Sequence, residues 1–293
     1  GSLRLCVEVP KSGLYLAKSQ RPIDFKRFSH NTCQAFLSSM NVAELWQTLD
    51  GLPWLLVALL PLIFFQRALH RELQAVFLLL TRRADISIAL FSLILFPGVL
   101  LHELSHFVMA KVLRVRTGKF SLVPRSLGDG RLLMGYVETD PSDFLRDALI
   151  GAAPLLAGGV FVAYAGSQRL GLLSLWGDFS VTLLVDAVLA LFAQPDFWLW
   201  FYLTLAVSST MLPSSADRRA WPGLVLVLIV VSGLALLVGA GPWMLMNLAP
   251  GFNGALRAVA VVFGISGAIH FVVLVPVYAL RRLLSRIFGL DVV

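Results

Sequence analysis

Two histidines and a glutamate lie close together in one of the most apolar parts of the sequence. In Leu101–Phe107 (LHELSHF), His102 and His106 are four residues apart. On a helix this spacing places both imidazoles on one face, about one turn apart, as two ligands of a single metal ion require. Glu103 occupies the position of the general base in zinc hydrolases, where it reaches the reacting water without being a ligand. The segment therefore predicts a hydrolytic site with one Zn²⁺ per chain.

The overall composition indicates that this site belongs to a membrane protein. The chain of 293 residues is 58% hydrophobic and only 14% charged, which is unusual for a soluble globular protein. Its formal net charge of +7 comes from basic residues that flank apolar runs. That arrangement is typical of the flanks of membrane spans and not of a nucleic-acid-binding surface. We therefore expect an integral, multi-pass protein of a lipid bilayer, with no nucleic acid as a partner.

Apolar runs of nearly the length needed to cross a bilayer, about 20 residues, predict the elements that position the site. The fold class is an all-α polytopic membrane protein with about six transmembrane helices, one short re-entrant or interfacial helix and a small β-hairpin. Residues 1–50 form an N-terminal extramembrane segment, and residues 51–293 form the transmembrane domain, with a core at about 86–222. The predicted elements are a kinked span at Leu52–Phe65, an amphipathic segment at Arg67–Arg83, the metal-binding helix at Ile86–Leu113, spans at Ala148–Ala165, Phe197–Leu212, Gly223–Ala240 and Ala255–Leu280, and a short helix at Val181–Ala193.

The β-hairpin is predicted directly after the metal-binding helix. Two strand-like runs, Phe120–Val123 and Arg131–Thr139, are separated by a segment that contains the turn signal Gly128-Asp129-Gly130. A free strand edge can hold an extended peptide by adding it as a further strand. An ordinary connecting hairpin explains the same pattern. The residues that would form a substrate-binding edge are Phe120, Leu122, Leu132, Met134 and Tyr136.

The third protein ligand must come from another part of the chain, because catalytic zinc usually has three protein ligands and one open position. After Glu103 the sequence contains one glutamate, Glu138, in the predicted hairpin, and the one histidine beyond the motif is His270. A histidine inside an apolar span is more often hydrogen-bonded between helices than a ligand. Among the aspartates, Asp217 is favoured because it follows a proline at the end of a predicted span, on the same membrane side as the end of the metal-binding helix. Asp186, inside an apolar run, is the alternative.

These features resemble the site-2 protease family of intramembrane zinc metalloproteases, in its broad bacterial branch. The resemblance covers about Ile86–Pro222 and includes the helix with His102–His106, the hairpin, the helix with Gly151–Pro154 and the Pro213–Asp217 segment. It implies a transmembrane metalloprotease domain in a prokaryotic cell membrane. It also implies that zinc is held by the two histidines and Asp217.

The segment before Asp217 departs from the family pattern. In the family the third ligand follows an Asn-x-x-Pro segment and precedes a glycine. Here Ser209 or Thr210 stands at the place of the asparagine, and Arg218 follows Asp217. The resemblance implies that Ser209 or Thr210 contacts the oxyanion or the substrate, because a hydroxyl can also donate a hydrogen bond.

The leading functional hypothesis is hydrolysis of peptide bonds in or next to transmembrane segments of membrane-protein substrates. A helix hides its peptide bonds, so the expected partner is a helix-destabilised transmembrane segment. The basic residues at both ends of the last predicted pair of spans, Arg218 and Arg219 and then Arg281, Arg282 and Arg286, indicate the cytoplasmic side, and the basic region Lys111–Arg146 agrees, so the active site is expected there. The arginines at 67, 71, 82 and 83 do not agree if Leu52–Phe65 crosses fully, which leaves the side of the N-terminal segment open. Membrane zinc proteases that trim prenylated proteins fit less well, since their third ligand is a downstream glutamate. The non-enzymatic alternative is a catalytically weak or inactive metal-binding protein acting as receptor, scaffold or transporter.

Overall fold

The computed structural model describes residues 50–122, 125–126, 132–133, 135–172, 192, 194 and 196–289, and most of them are helical. The helices are α1 (Gly51–Thr81), α2 (Ala84–Ile94), α3 (Phe96–Val112), α4 (Phe144–Tyr164, continued by a π-helical turn at Ala165–Arg169), α5 (Phe197–Thr210), α6 (Trp221–Leu237), α7 (Gly241–Asn247) and α8 (Ala249–Phe288). Four short strands lie between α3 and α4: β1 (Thr117–Ser121), β2 (Arg125–Ser126), β3 (Leu132–Leu133) and β4 (Tyr136–Thr139).

Three helices are long and apolar enough to cross a membrane: α1, α4 with its π-helical turn, and α8. The bent pair α2 and α3 makes a fourth if it counts as one span. Within the described residues the predicted number of about six spans is therefore not reached, because the apolar helices α5 and α6 are shorter. The predicted short helix at Val181–Ala193, including Asp186, lies outside the described residues apart from Phe192.

The first two predicted segments form one helix. The polar residues after position 65 predict a boundary between Leu52–Phe65 and Arg67–Arg83, but α1 continues across this boundary to Thr81. These polar residues find partners on other helices. The Gln66 side chain donates to the Ser209 carbonyl at 2.6 Å, and Glu72 forms a buried ion pair with Arg281 of α8. The prediction of a separate interfacial segment was therefore wrong.

Helices α1 and α8 lie side by side and run in the same direction. At their N-terminal ends the Gly51 N–H donates to Asn253 Oδ1 at 2.6 Å. At their C-terminal ends the Arg82 guanidinium lies 5.6 Å from the centre of the Phe288 ring. Leu62 of α1 and Phe263 of α8 are buried in a common apolar cluster at the end of α5. The end of α5 therefore packs against the surface that α1 and α8 form together.

The motif helix begins later than predicted. The expected continuous helix Ile86–Leu113 is divided into α2 and α3, which are bent by 70° at Leu95. Pro97 explains the break. In a continuous helix its ring would clash with the carbonyl four residues earlier, and it has no N–H to donate to that carbonyl. Both features are tolerated in the first turn of a new helix. After the bend, α3 packs closely on α5. A Cβ added to Gly98 would lie 2.0 Å from the Ala206 carbonyl oxygen.

The C-terminal part contains more helix than predicted. The predicted spans Gly223–Ala240 and Ala255–Leu280 leave residues 241–254 as a connection, whereas the structure has α7 there and begins α8 at Ala249. Helix α6 buries none of its residues. Its Trp221 Nε1–H donates to the Ala148 carbonyl at 3.3 Å, which joins the start of α6 to α4.

The β-hairpin after the motif helix is present. Strand β1 pairs antiparallel with β4, with Phe120 opposite Val137, and β2 pairs with β3. The first strand starts at Thr117, earlier than the predicted Phe120, and Leu122 follows its end. The predicted turn Gly128–Gly130 lies outside the described residues.

Candidate metal centre

The structure brings together the three side chains predicted to bind a metal. His102 and His106 project from α3, and Asp217 lies in the loop between α5 and α6. The two Nε2 atoms are 3.2 Å apart. Asp217 Oδ1 lies 3.1 Å from His106 Nε2, and Oδ2 lies 3.8 Å from His102 Nε2. One ligand atom from each residue lies within 4.8 Å of the others, so this group could hold a metal ion.

These separations can be compared with those around a tetrahedrally coordinated metal ion such as zinc. Zinc bonds to nitrogen and oxygen are about 2.0–2.2 Å long, which puts neighbouring ligand atoms of a tetrahedron roughly 3.3 Å apart. Two observed distances are close to this value: 3.2 Å between the two histidine Nε2 atoms and 3.1 Å between Asp217 Oδ1 and His106 Nε2. The 3.8 Å distance to His102 Nε2 is measured from the other carboxylate oxygen, Oδ2. Two imidazoles and one carboxylate also form a common donor set for catalytic zinc, and a set of three leaves one position open.

Backbone carbonyls orient both histidines. His102 Nδ1 lies 2.6 Å from the Thr210 carbonyl oxygen, and His106 Nδ1 lies 2.8 Å from the Ile150 carbonyl oxygen. A carbonyl can only accept, so each Nδ1 carries the donated proton. This leaves both Nε2 atoms, which face each other and Asp217, for a metal.

Asp217 is held by its own loop. Its Oδ2 accepts the Ser214 backbone N–H at 2.7 Å, and the Asp217 N–H donates to Ser214 Oγ at 3.2 Å. Burial acts to raise the pKa of the Asp217 carboxyl, but the adjacent His106 imidazole and the hydrogen bonds from Ser214 outweigh burial and lower the pKa to about 2. The carboxyl is therefore ionised near neutral pH, as a metal ligand must be.

The neighbouring arginines do not pair with Asp217. Arg218 Nε donates to the Ser214 carbonyl at 3.2 Å, and Arg219 Nη2 lies 3.7 Å from Asp147 Oδ2. Arg218 has no positive φ. The conformation here therefore does not require a glycine after Asp217.

A close contact fixes the position of the Asp217 backbone. A Cβ added to Gly151 of α4 would lie 2.0 Å from the Asp217 carbonyl oxygen. The helix can approach the ligand loop this closely because residue 151 has no side chain. Gly151 lies directly after Ile150, so one short stretch of α4 supports both His106 and Asp217.

The proposed general base lies in the same cavity as the ligand group. Glu103 is only 7% exposed and, with the three ligands, lines a cavity of about 630 Å³. Gly135 and Tyr136, at the start of β4, form part of the cavity wall. A Cβ added to Gly135 would lie 2.8 Å from Glu103 Cγ, so the chain entering β4 passes directly over this glutamate.

The predicted substrate edge is only partly at the cavity. Tyr136 lines it. Phe120 instead packs against Phe107, with ring centres 6.3 Å apart. Leu122 packs against an apolar cluster around Leu95. Leu132 lies in β3, which pairs with β2 and not with β1 or β4, and Met134 lies outside the described residues.

The hydroxyls of Ser209 and Thr210 have partners elsewhere. Thr210 Oγ1 donates to carbonyls of its own helix, at 3.2 and 3.3 Å. His270 Nδ1 donates to the Ser266 carbonyl, so its Nε2 accepts the Ser209 hydroxyl at 3.0 Å. Both residues line the cavity, but their hydroxyl hydrogens are already used. The backbone carbonyl of Thr210, which orients His102, is the group that contributes to the site.

Several supporting groups were missed by sequence analysis. The Thr210 and Ile150 carbonyls carry no sequence signal, because every residue has a carbonyl. Gly151 belongs to a run of small residues, which predicts close helix packing without identifying its partner. Ser214 precedes Asp217 by three residues, a spacing that indicates a local side-chain-to-backbone turn. That signal could have been used.

Comparisons with protein-family models, with curated proteins and with solved structures return no match for this chain.

Proposed function

We propose that this protein is an intramembrane zinc metalloprotease of the site-2 protease type. The observation that carries the proposal is the convergence of His102, His106 and Asp217, with ligand atoms within 4.8 Å, beside Glu103 in one cavity. Their residue types match the donor set and the general base of zinc hydrolases. The apolar helices around the site support a reaction at membrane depth.

Each site residue has a distinct role in the proposed reaction. Bound zinc would polarise the scissile carbonyl and lower the pKa of a water molecule to about 7. Glu103 accepts the proton of the attacking water and delivers it to the leaving amine. The Thr210 and Ile150 carbonyls hold the histidine rings so that both Nε2 atoms would face a bound ion.

The substrate class follows from the cavity wall. Strand β4 begins at the cavity, with Gly135, Tyr136 and Val137 among its lining residues. An extended peptide bond can be reached there, whereas a helical one is hidden by its own hydrogen bonds. The proposed substrate is therefore a membrane protein with a helix-destabilised transmembrane segment, cut in or next to that segment. The basic residues Arg218 and Arg219 beside the site support a cytoplasmic position for it.

The test is a Glu103→Gln variant of the purified protein, assayed against a transmembrane peptide with a helix-breaking residue. Removing the general base is expected to lower the cleavage rate roughly 10²- to 10⁴-fold while zinc content stays at one ion per chain. Glu138→Gln is the matched control, because Glu138 is exposed in β4 and accepts the Lys119 N–H. Undiminished cleavage by Glu103→Gln would rule out this mechanism.

A second candidate is a catalytically weak or inactive metal-binding membrane protein that acts as receptor, scaffold or transporter. The observation that favours it is the commitment of the Ser209 and Thr210 hydroxyl hydrogens to other partners. Zinc that is lost in His102→Ala, together with no cleavage of any transmembrane peptide tested, would favour this candidate over the protease.

A further inference from the structure

A second cavity, of about 700 Å³, lies between α1, α2 and α8. It shares no lining residue with the cavity at the candidate metal centre. Its charged and aromatic lining consists of Arg71, Glu72, Tyr278, Arg281 and Arg282. Three arginines therefore line one cavity in a protein that has few charged residues.

The acidic group in this cavity is already neutralised. Glu72 is 7% exposed and forms an ion pair with Arg281, which is itself largely buried. Arg281 and Arg282 both lie over the Tyr278 ring, at 5.4 and 5.3 Å from its centre, and Arg282 Nε donates to the Tyr278 hydroxyl at 2.9 Å. Neither Arg71 nor Arg282 has a carboxylate partner among the described residues. The cavity lining consequently carries an excess of positive charge.

The spacing of charges along α8 gives the depth of this cavity in a bilayer. Residues 258–280 contain no Asp, Glu, Lys or Arg. At 1.5 Å per residue this stretch is about 35 Å long, close to the roughly 30 Å thickness of the hydrocarbon core. Arg257, paired with Asp50, and Arg281 therefore mark the two headgroup layers. Arg71 adjoins Glu72, the partner of Arg281, so the cavity lies at the depth of lipid phosphate groups.

The surroundings of the cavity are suited to acyl chains. Leu78 and Ile88 line it, and both are partly exposed. A soluble anion would use the arginines alone, whereas a phospholipid would also cover these apolar side chains. This difference favours a lipid as the source of the phosphate.

We propose that the cavity between α1, α2 and α8 binds the phosphate group of an anionic phospholipid. Arg71 and Arg282 supply the charge-assisted hydrogen bonds, for which guanidinium is better suited than ammonium because it can bind phosphate through two parallel N–H groups. The Glu72–Arg281 pair forms the floor of the site and holds α1 against α8. Basic cavities between membrane helices are a recurring site for lipid headgroups.

The experiment compares the purified full-length protein in nanodiscs of phosphatidylcholine with and without phosphatidylglycerol, and counts retained lipids by native mass spectrometry. Wild type is expected to retain phosphatidylglycerol in preference to phosphatidylcholine. Arg71→Gln/Arg282→Gln is expected to bind it at least about tenfold more weakly, because two charge-assisted hydrogen bonds are lost. The matched control is Arg116→Gln/Lys119→Gln, which removes the same charge from exposed positions at β1.

Two outcomes would overturn the proposal. One is equal retention of phosphatidylglycerol by the arginine variant and the control variant. The other is displacement of the lipid by millimolar inorganic phosphate, which would assign the site to a soluble anion. Arg71→Lys/Arg282→Lys keeps the charge and should bind with intermediate affinity. Zinc content in every variant provides an independent check of folding, and the result does not depend on whether the metal centre is a protease.

Discussion

Gly151→Ala tests whether the packing of α4 against the ligand loop positions Asp217. The added Cβ would lie 2.0 Å from the Asp217 carbonyl oxygen, whereas ordinary contacts are 3.4–4 Å. The loop or the helix must therefore move by more than about 1 Å, and metal–ligand distances tolerate only about 0.2 Å. We expect zinc affinity to fall at least 10- to 100-fold, the usual effect of disturbing a group that orients a ligand. Overpacking should also lower the free energy of unfolding by about 1–3 kcal/mol.

Gly159→Ala is the matched control for this prediction. Gly159 lies on the same helix, and an added Cβ would meet nothing within 4 Å. Zinc affinity is measured by competition with a chromogenic chelator, and stability by thermal unfolding in detergent. The control should bind zinc like wild type. If Gly151→Ala binds zinc as tightly as Gly159→Ala, the close contact does not position the ligand and the reasoning is refuted.

Three further perturbations test other parts of the structure. Gly135→Ala should displace the Glu103 side chain and lower the cleavage rate while zinc content stays unchanged; loss of zinc would contradict this. His270→Ala should lower the free energy of unfolding by about 1–3 kcal/mol, because the buried Ser209 hydroxyl loses its acceptor, and adding Ser209→Ala should recover part of the loss. The hydrogen bond from Arg257 of α8 lowers the pKa of the Asp50 carboxyl below its ordinary value of 3.8. Its stabilising effect is therefore present above pH 3.8 and is lost as the pH falls through the lowered pKa of the folded state. Asp50→Asn should remove this acid-dependent loss in a thermal-unfolding series.

The residues of the candidate site could be predicted because their signal is local or follows from elimination. The spacing of His102 and His106 determines a shared helix face wherever the helix lies. Asp217 was favoured because the other possible ligands were few, and the structure brings it to the two histidines. The hairpin was predicted from its turn residues, and its strands pair as expected.

The helix boundaries and side-chain roles that were predicted wrongly depend on contacts between distant parts of the chain. The polar residues after position 65 indicated the end of a span, because the sequence does not show that Glu72 meets Arg281. The break before the motif helix is marked by Pro97, a signal that the apolar run obscured. Ser209 was assigned a role at the reacting atoms, but its hydroxyl donates to His270 on α8. No local pattern predicts such a partner.

The hydrogen bonds that hold the three ligands have a consequence for metal loading. Each ligand is anchored through contacts with protein groups, namely the Thr210 carbonyl, the Ile150 carbonyl and the Ser214 N–H. The site is therefore preorganised, and binding an ion requires little rearrangement of the chain. In zinc fingers, by contrast, the free energy of metal binding is also the free energy of folding. With zinc bound as proposed, a chelator is expected to remove the ion and leave a folded apoprotein, which can be reloaded without refolding.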